Sequence, residues 1–327
     1  MFTSSQLSGP GHGSSVFALP GGGPPPGERG LSLFASRLGT LLLAATAGVL
    51  AASTVLAGTF SVFGPRIFLF SGHNVPSVRT FSVLNPAASY VLRVRNGGVN
   101  QQFPKVRNGS VSINGTEVIG PQELNRSVDF IEKPVTLASS NEISVLLRGQ
   151  QGSGIVVEVV GTDNDPPTIT AQADPPPNAN GWNKTDVRVT FTCTDAISGI
   201  ATCPAPVTVT TEGAGQVVSG TAMDKAGNTA TTSLTLNIDK TPPTLQVTSP
   251  ADGSTVTSSP VTATGTASDA LSGVGTVLCN GSTATLGGSD FSCSIPLVEG
   301  INTLSFVASD RAGNVASTTR SVTLQTT

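Results

Sequence analysis

From about residue 60 onward, apolar and polar positions alternate in short runs. Val187, Val189, Phe191 and Cys193 alternate with Arg188, Thr190 and Thr192. Val207 and Val209 alternate with Thr208 and Thr210, and Leu234, Leu236 and Ile238 with Thr235 and Asn237. Further on, Val261 and Ala263, then Phe291, Cys293 and Ile295, then Val322 and Leu324 follow the same rule. A period of two with one apolar face predicts half-buried antiparallel strands. Turn residues return at intervals of roughly 8–12, the spacing of a β-sandwich. Residues 60–161 share this grammar. Val111 to Val118 predicts a hairpin, because Asn114-Gly115 supplies both positive-φ positions of a type I′ turn. Ile143 to Leu147 and Ile155 to Val159 predict the last strands of that region, and no helix is predicted beyond residue 60.

Two proline pairs punctuate the pattern, Pro166-Pro167 and Pro242-Pro243. Proline fixes φ and donates no hydrogen bond, so each pair predicts a stiff linker entering an edge strand. Around the linkers the chain repeats itself. Asp195-Ala196-Ile197-Ser198-Gly199 recurs 74 positions on as Asp269-Ala270-Leu271-Ser272-Gly273. Asp224-Lys225-Ala226-Gly227-Asn228 recurs 86 positions on as Asp310-Arg311-Ala312-Gly313-Asn314. Two motifs recurring in one order mark a duplicated unit, the second copy having about a dozen more residues between them. The boundaries that follow are a leader at 1–37, an apolar segment at 38–59, a β-sandwich at 60–161, and repeats at 162–240 and 241–327.

With these motifs in order between proline pairs, residues 168–327 resemble tandem bacterial immunoglobulin-like domains. Residues 244–327 resemble the immunoglobulin-like module that accompanies the catalytic part of glucodextranase, on Ser249 to Gly253, Val298 to Asn302 and Asp310 to Asn314. Residues 60–161 are similar to a β-sandwich that often precedes such repeats, on Phe63 to Arg66 and Ile131 to Val135. The resemblance implies an all-β fold of tandem antiparallel sandwiches and a surface location. Such modules serve as spacers, adhesins and enzyme appendages alike, so it implies no activity.

The N-terminal stretch reads differently. Residues 1–30 are rich in Gly, Pro and Ser and are expected to be disordered. Arg29 and Arg37 precede an uncharged run from Leu38 to Pro65. A positive flank, a short apolar stretch and small residues at its end describe an export signal, with Val55-Leu56-Ala57 as cleavage site. A retained membrane anchor is the competing reading, since the run is long enough to span a bilayer. Either way the chain is expected outside the cytoplasm, secreted or at the cell surface.

Composition agrees. Charged residues are 11%, and the chain holds 37 Gly and 23 Pro. The net charge of −3 is unevenly spread: residues 60–161 carry 9 basic and 6 acidic groups, 162–240 carry 4 and 8, and 241–327 carry 2 and 5. No basic stripe suits a nucleic-acid backbone. Membrane contact is expected only through the N-terminal segment, and the array is expected to be monomeric.

Four Cys in an exported chain allow three pairings. A hairpin centred on Ser198 would set Cys193 directly opposite Cys203. Cys279 with Cys293 needs a bulge or an intervening strand. His12 and His73 lack the nucleophile and carboxylate of a triad, and no Gly-x-Ser-x-Gly elbow occurs, so a non-enzyme is expected. Trp182, in the turn-like Asn180-Gly181-Trp182-Asn183, is a candidate sugar platform. Asp163, Asn164 and Asp165 at the first linker offer oxygen ligands to Ca²⁺, with Asp195 and Asp224 joining if their loops point back to it. Asp239, followed by Lys240, makes the second linker the poorer candidate. The expected partner is a cell-surface protein or polysaccharide. The alternative is a carbohydrate-binding or accessory region of a secreted polysaccharide-processing enzyme whose catalytic part lies outside this chain.

Overall fold

The computed structural model describes residues 58–326. The leader, and all but the last two residues of the segment at 38–59, lie outside them. Among the described residues no helix is long and apolar enough to cross a membrane, and the helical content is one 3-10 turn at Val99–Gln101.

The first module holds β1 (Thr59–Leu69), β2 (Ser77–Ser82), β3 (Tyr90–Asn96), β4 (Asn108–Ile113), β5 (Thr116–Ile119), β6 (Phe130–Val135), β7 (Ser140–Arg148) and β8 (Gly154–Thr162). They form two sheets, ordered β1-β8-β3-β6 and β2-β7-β4-β5. The central strand β8 is buried on both faces over most of its length, which is why Ile155 to Val157 reads as continuous rather than alternating. The Asn114-Gly115 turn has φ of 51° and 81° and joins β4 to β5 with Ile113 opposite Thr116. Tyr90 is 2% exposed, and its hydroxyl donates to the carbonyl of Asn85 at 2.7 Å. Tyr90→Phe is therefore expected to cost about 1 kcal/mol in urea unfolding followed by circular dichroism. Burial pushes the Tyr90 hydroxyl above its usual pKa. The neutral form is favoured by folding, so this contribution is complete below about pH 10 and is lost as pH rises through the folded value.

The second module holds β9 (Thr168–Asp174), β10 (Val187–Thr194), β11 (Ile200–Thr202), β12 (Val207–Val209), β13 (Gly213–Asp224) and β14 (Thr229–Ile238), in sheets β12-β10-β9 and β11-β13-β14. Its core is small, with Val187, Val189, Phe191, Val218, Leu236 and Ile238 buried between the sheets. Val207 departs from the alternation. It sits on the three-residue edge strand β12 and is 41% exposed, because an edge that short leaves its end uncovered.

The third module holds β15 (Thr244–Ser249), β16 (Ser254–Val256), β17 (Val261–Ser268), β18 (Val274–Cys279), β19 (Ser282–Thr283), β20 (Thr285–Gly287), β21 (Asp290–Ile295), β22 (Gly300–Asp310) and β23 (Val315–Leu324). The sheets run β15-β17-β21-β20 and β16-β23-β22-β18-β19. The dozen extra residues between the repeated motifs accompany two additional short strands, β19 and β20. Among the described residues, the buried residues of all three cores lie between Phe60 and Leu324, so each sandwich core is assembled from strands within 58–326.

Both disulfides are local, Cys193–Cys203 and Cys279–Cys293, with Cα separations of 5.9 and 6.5 Å. The hairpin route expected for the first pair is wrong. Cys193 on β10 has Ile169 of β9 as its strand partner, and Cys203 follows β11, which belongs to the opposite sheet. The Asp195–Gly199 turn carries the chain from one sheet to the other, so the bond ties the two layers together. Cys279 on β18 and Cys293 on β21 likewise belong to different sheets of the third module, with β19 and β20 intervening.

Candidate functional site

The repeated motifs meet at the joints between modules. At the first joint the carboxylate oxygens of Asp163, Asp195 and Asp224 lie within 4.8 Å of one another. Asp163 ends the first module just past β8, Asp195 opens the turn after β10, and Asp224 closes β13. At the second joint Asp239, Asp269 and Asp310 repeat the arrangement, also within 4.8 Å. In each trio the middle residue is half-buried and the other two are buried, Asp163 and Asp224 at 1% exposure and Asp239 at 0%.

The local hydrogen bonds explain why these motifs fold as they do. Asp195 Oδ1 accepts from the backbone N–H of Ile197 (3.2 Å) and Gly199 (2.6 Å), closing an Asx-type turn. Gly199 has φ of 81°, a left-handed conformation that glycine adopts without strain. Asp224 Oδ1 accepts from Asn228 N–H at 2.9 Å, and its Oδ2 from Asn228 Nδ2 at 2.8 Å. The linker carboxylate joins the two modules: Asp163 Oδ2 accepts from Ser198 N–H at 3.0 Å, and Asn228 Nδ2 donates to the carbonyl of Asp163 at 3.0 Å. At the second joint Ser272 N–H donates to Asp239 Oδ2 at 3.0 Å, Gly273 N–H to Asp269 Oδ1 at 2.7 Å and Asn314 Nδ2 to the Asp239 carbonyl at 2.8 Å.

The contacts around the two trios differ. At the first joint Ala226 belongs to the first module's core and Ile197 packs against it, so the second module's turns close the base of that core. At the second joint the seam is polar. Asn178 Nδ2 donates to the carbonyls of Arg311 and Ala312 at 2.8 and 3.1 Å, and Asn180 Nδ2 to that of Arg311 at 3.0 Å. A cleft of about 240 Å³, lined by Asp239, Thr241, Pro242, Thr244, Asp269 and Leu271 among others, opens onto this trio.

Electrostatically each trio is unbalanced. Among the described residues, no Lys or Arg forms an ion pair with any of the six carboxylates. Three converging like charges disfavour one another, and neutral N–H donors oppose that repulsion. Oδ2 of Asp195 and of Asp269 accepts no hydrogen bond from the described chain, which leaves each trio with an unengaged oxygen.

Of the five linker residues singled out in the sequence, Asp163, Asp195 and Asp224 converge and two do not. Asn164 and Asp165 are exposed, and Asp165 contributes only backbone groups, its N–H donating to Asp163 Oδ1 at 3.0 Å and its carbonyl accepting from Asn228 Nδ2 at 3.3 Å. The second linker gathers as many carboxylates as the first. Lys240 turns away from its trio, pairing with Asp186 and donating to the carbonyl of Thr210 at 2.6 Å. The repeat itself was the signal for that second site, since Asp269 and Asp310 stand where Asp195 and Asp224 do. Trp182 is half-buried in the loop that carries Asn178 and Asn180 to the third module. His73 is exposed in the β1–β2 loop.

An all-β array of immunoglobulin-like sandwiches is thus the class of protein that this fold defines. Within it, residues 243–326 match the family model described as "Glucodextranase, domain B". Among solved structures, the chain is similar to fibronectin(III)-like modules of Clostridium thermocellum CbhA at 16% identity, covering 48% of this chain and 95% of that one, with a TM-score of 0.29. An I-band fragment of titin matches at 12% identity over 77% of this chain and 93% of that one, with a TM-score of 0.32. A bacterial ice-binding adhesin, from a study of host cell surface retention, matches at 17% identity over 77% and 92%, with a TM-score of 0.24. No curated protein matches the chain.

Proposed function

We propose that this chain is a non-catalytic, exported surface protein in which three sandwiches form a stiffened array, and that its joints are set by Ca²⁺. The observation that carries the proposal is the repeated trio of carboxylates at a module boundary, two buried and one half-buried, with no ion-pairing Lys or Arg among the described residues. Ca²⁺ takes six to eight oxygens, and a bidentate carboxylate supplies two. Asp163, Asp195 and Asp224 would hold the ion at the first joint, and Asp239, Asp269 and Asp310 at the second, with water or backbone carbonyls completing the shell. An ion there would link the turns of one module to the last strand of the one before it.

The test is a thermal melt of residues 58–327 in millimolar Ca²⁺, in chelator, and in KCl at matched ionic strength. Binding to the folded form at about 100 times Kd stabilises by about 2.7 kcal/mol, so Ca²⁺ should raise the melting temperature by several degrees. Identical melts would leave the joints as hydrogen-bonded, proline-stiffened linkers.

A second reading is favoured by the match over residues 243–326. In it the array is an accessory region of a polysaccharide-processing enzyme and binds the polymer. Retardation of the chain in dextran-containing gels, relieved by Trp182→Ala, would support that reading over a spacer. Turnover of glycosides or esters by the purified chain, abolished by a point substitution, would defeat the non-catalytic one.

A further inference from the structure

Among the described residues, the first module ends in a free tip. Thr59 pairs with Thr162 at the end nearest the second module, so the chain both enters and leaves there. The opposite end carries four loops and no through-connection: residues 70–76, 97–107, 120–129 and 149–153. Hydrogen bonds tie three of them into one surface, from Gly152 N–H to the Phe70 carbonyl (3.1 Å), Gly154 N–H to Pro104 (3.0 Å) and Arg107 N–H to Arg148 (2.8 Å).

The charge of this tip is one-sided. Arg95, Arg107, Arg126 and Arg148 are exposed, and none forms an ion pair among the described residues. Two acids lie in the tip loop 120–129, Glu123 and Asp129, and each is held by a lysine, Lys133 and Lys105 respectively. Glu132 is held by Arg93 further down the sheet.

Exposed aliphatic side chains lie at the same end. Ile67 is 55% exposed, Leu69 54% and Val75 70%. Leu69, His73 and Val75 line one shallow depression at the β1–β2 loop. Across the outer face of the first sheet, register places Ile67, Val156, Arg95 and Phe130 in a single row. The Arg95 guanidinium lies over the Phe130 ring at 4.8 Å. The second and third segments are net acidic, so the positive end is also the end remote from them.

We infer that this tip docks on an anionic lipid bilayer surface, separately from any membrane segment at 38–57. Basic groups alone would suit any polyanion. Bulky aliphatics held in water beside them gain from an apolar phase, and a bilayer supplies both halves at once, insertion at the headgroup boundary while arginines engage phosphates. A soluble polysaccharide offers no apolar phase to Leu69 and Val75.

The experiment is co-sedimentation of residues 58–327, lacking the apolar segment, with vesicles of phosphatidylcholine alone or with one third phosphatidylglycerol. Binding to the anionic vesicles, released by about 0.5 M salt, is expected. Each of Arg95→Gln and Arg148→Gln should weaken it about fivefold. Leu69→Ser with Val75→Ser should weaken it roughly tenfold or more. No binding, or equal binding to neutral vesicles, overturns the inference. So does a Leu69→Ser and Val75→Ser variant that binds like the parent, because the tip would then be recognising a polyanion. All four positions are exposed, so unchanged melts of the variants are expected and separate lost docking from lost folding.

Discussion

Phe291→Ala should destabilise the third module by about 3–5 kcal/mol, the usual cost of emptying a buried aromatic site. Phe291 is 2% exposed and packs against Phe306 with ring centroids 6.2 Å apart. It also covers Gly265 on the neighbouring strand, where a Cβ would lie 2.6 Å from the ring and 2.1 Å from the Gln246 carbonyl oxygen. The space is shaped by the ring, and neighbouring backbone is poorly placed to collapse into it. Leu286→Ala, on a side chain already 39% exposed, should change stability by less than about 0.5 kcal/mol. The chain's single Trp, Trp182, lies in the second module and its single Tyr, Tyr90, in the first. Urea unfolding should therefore show a circular-dichroism component moving to lower urea while the Trp182 fluorescence transition stays within about half that shift. A Trp182 transition that moves as far as the dichroism would show that the second and third modules unfold as one.

Much of this architecture was legible in the residues. Strand positions such as Val187, Val189 and Phe191 follow from a period of two, and Asn114-Gly115 announces its own turn. What alternation does not encode is which sheet a strand joins. Cys193 and Cys203 flank a turn that looks like a hairpin in sequence, yet the Asp195 carboxylate and the Ser198 bond to Asp163 steer the chain across the sandwich instead. The joint was half legible for the same reason. Local composition at the first linker pointed to Asp163, Asn164 and Asp165 as a group, but adjacent residues on an extended linker point in different directions. The groups that converge are 32 and 61 positions apart from end to end, at Asp195 and Asp224, and only the fold brings them to Asp163. Lys240 follows Asp239 directly in sequence, yet its long side chain reaches Asp186 and leaves the second trio alone.

The same geometry makes the joint substitutions unequal in a defined way. Asp163→Ala removes the acceptor of two backbone N–H groups, Asp165 and the buried Ser198, at 3.0 Å each. Asp239→Ala does the same to Thr241 (3.1 Å) and Ser272 (3.0 Å). Of these donors Ser198 and Ser272 are buried, and a buried donor left without a partner costs about 1–3 kcal/mol, so each substitution should cost about 1–3 kcal/mol even in chelator. Asp165→Ala removes an exposed carboxylate that accepts no bond in the trio and should stay within about 0.5 kcal/mol. Isosteric Asp163→Asn keeps one acceptor oxygen, so in chelator it should lose less than Asp163→Ala. In millimolar Ca²⁺ the order should change. Removing one charge from the trio weakens ion binding, so Asp163→Asn should forfeit most of the Ca²⁺-dependent rise in melting temperature while Asp165→Ala retains it. The comparison is made with four proteins, parent, Asp163→Asn, Asp163→Ala and Asp165→Ala, each melted with and without Ca²⁺. Loss of the rise in Asp165→Ala but not in Asp163→Asn would place the ion on the exposed linker side chains and outside the trio. Equal costs for Asp163→Ala and Asp239→Ala in chelator would show that the repeat preserves the energetics of the joint along with its geometry, although the seams around the two trios are apolar in one case and polar in the other.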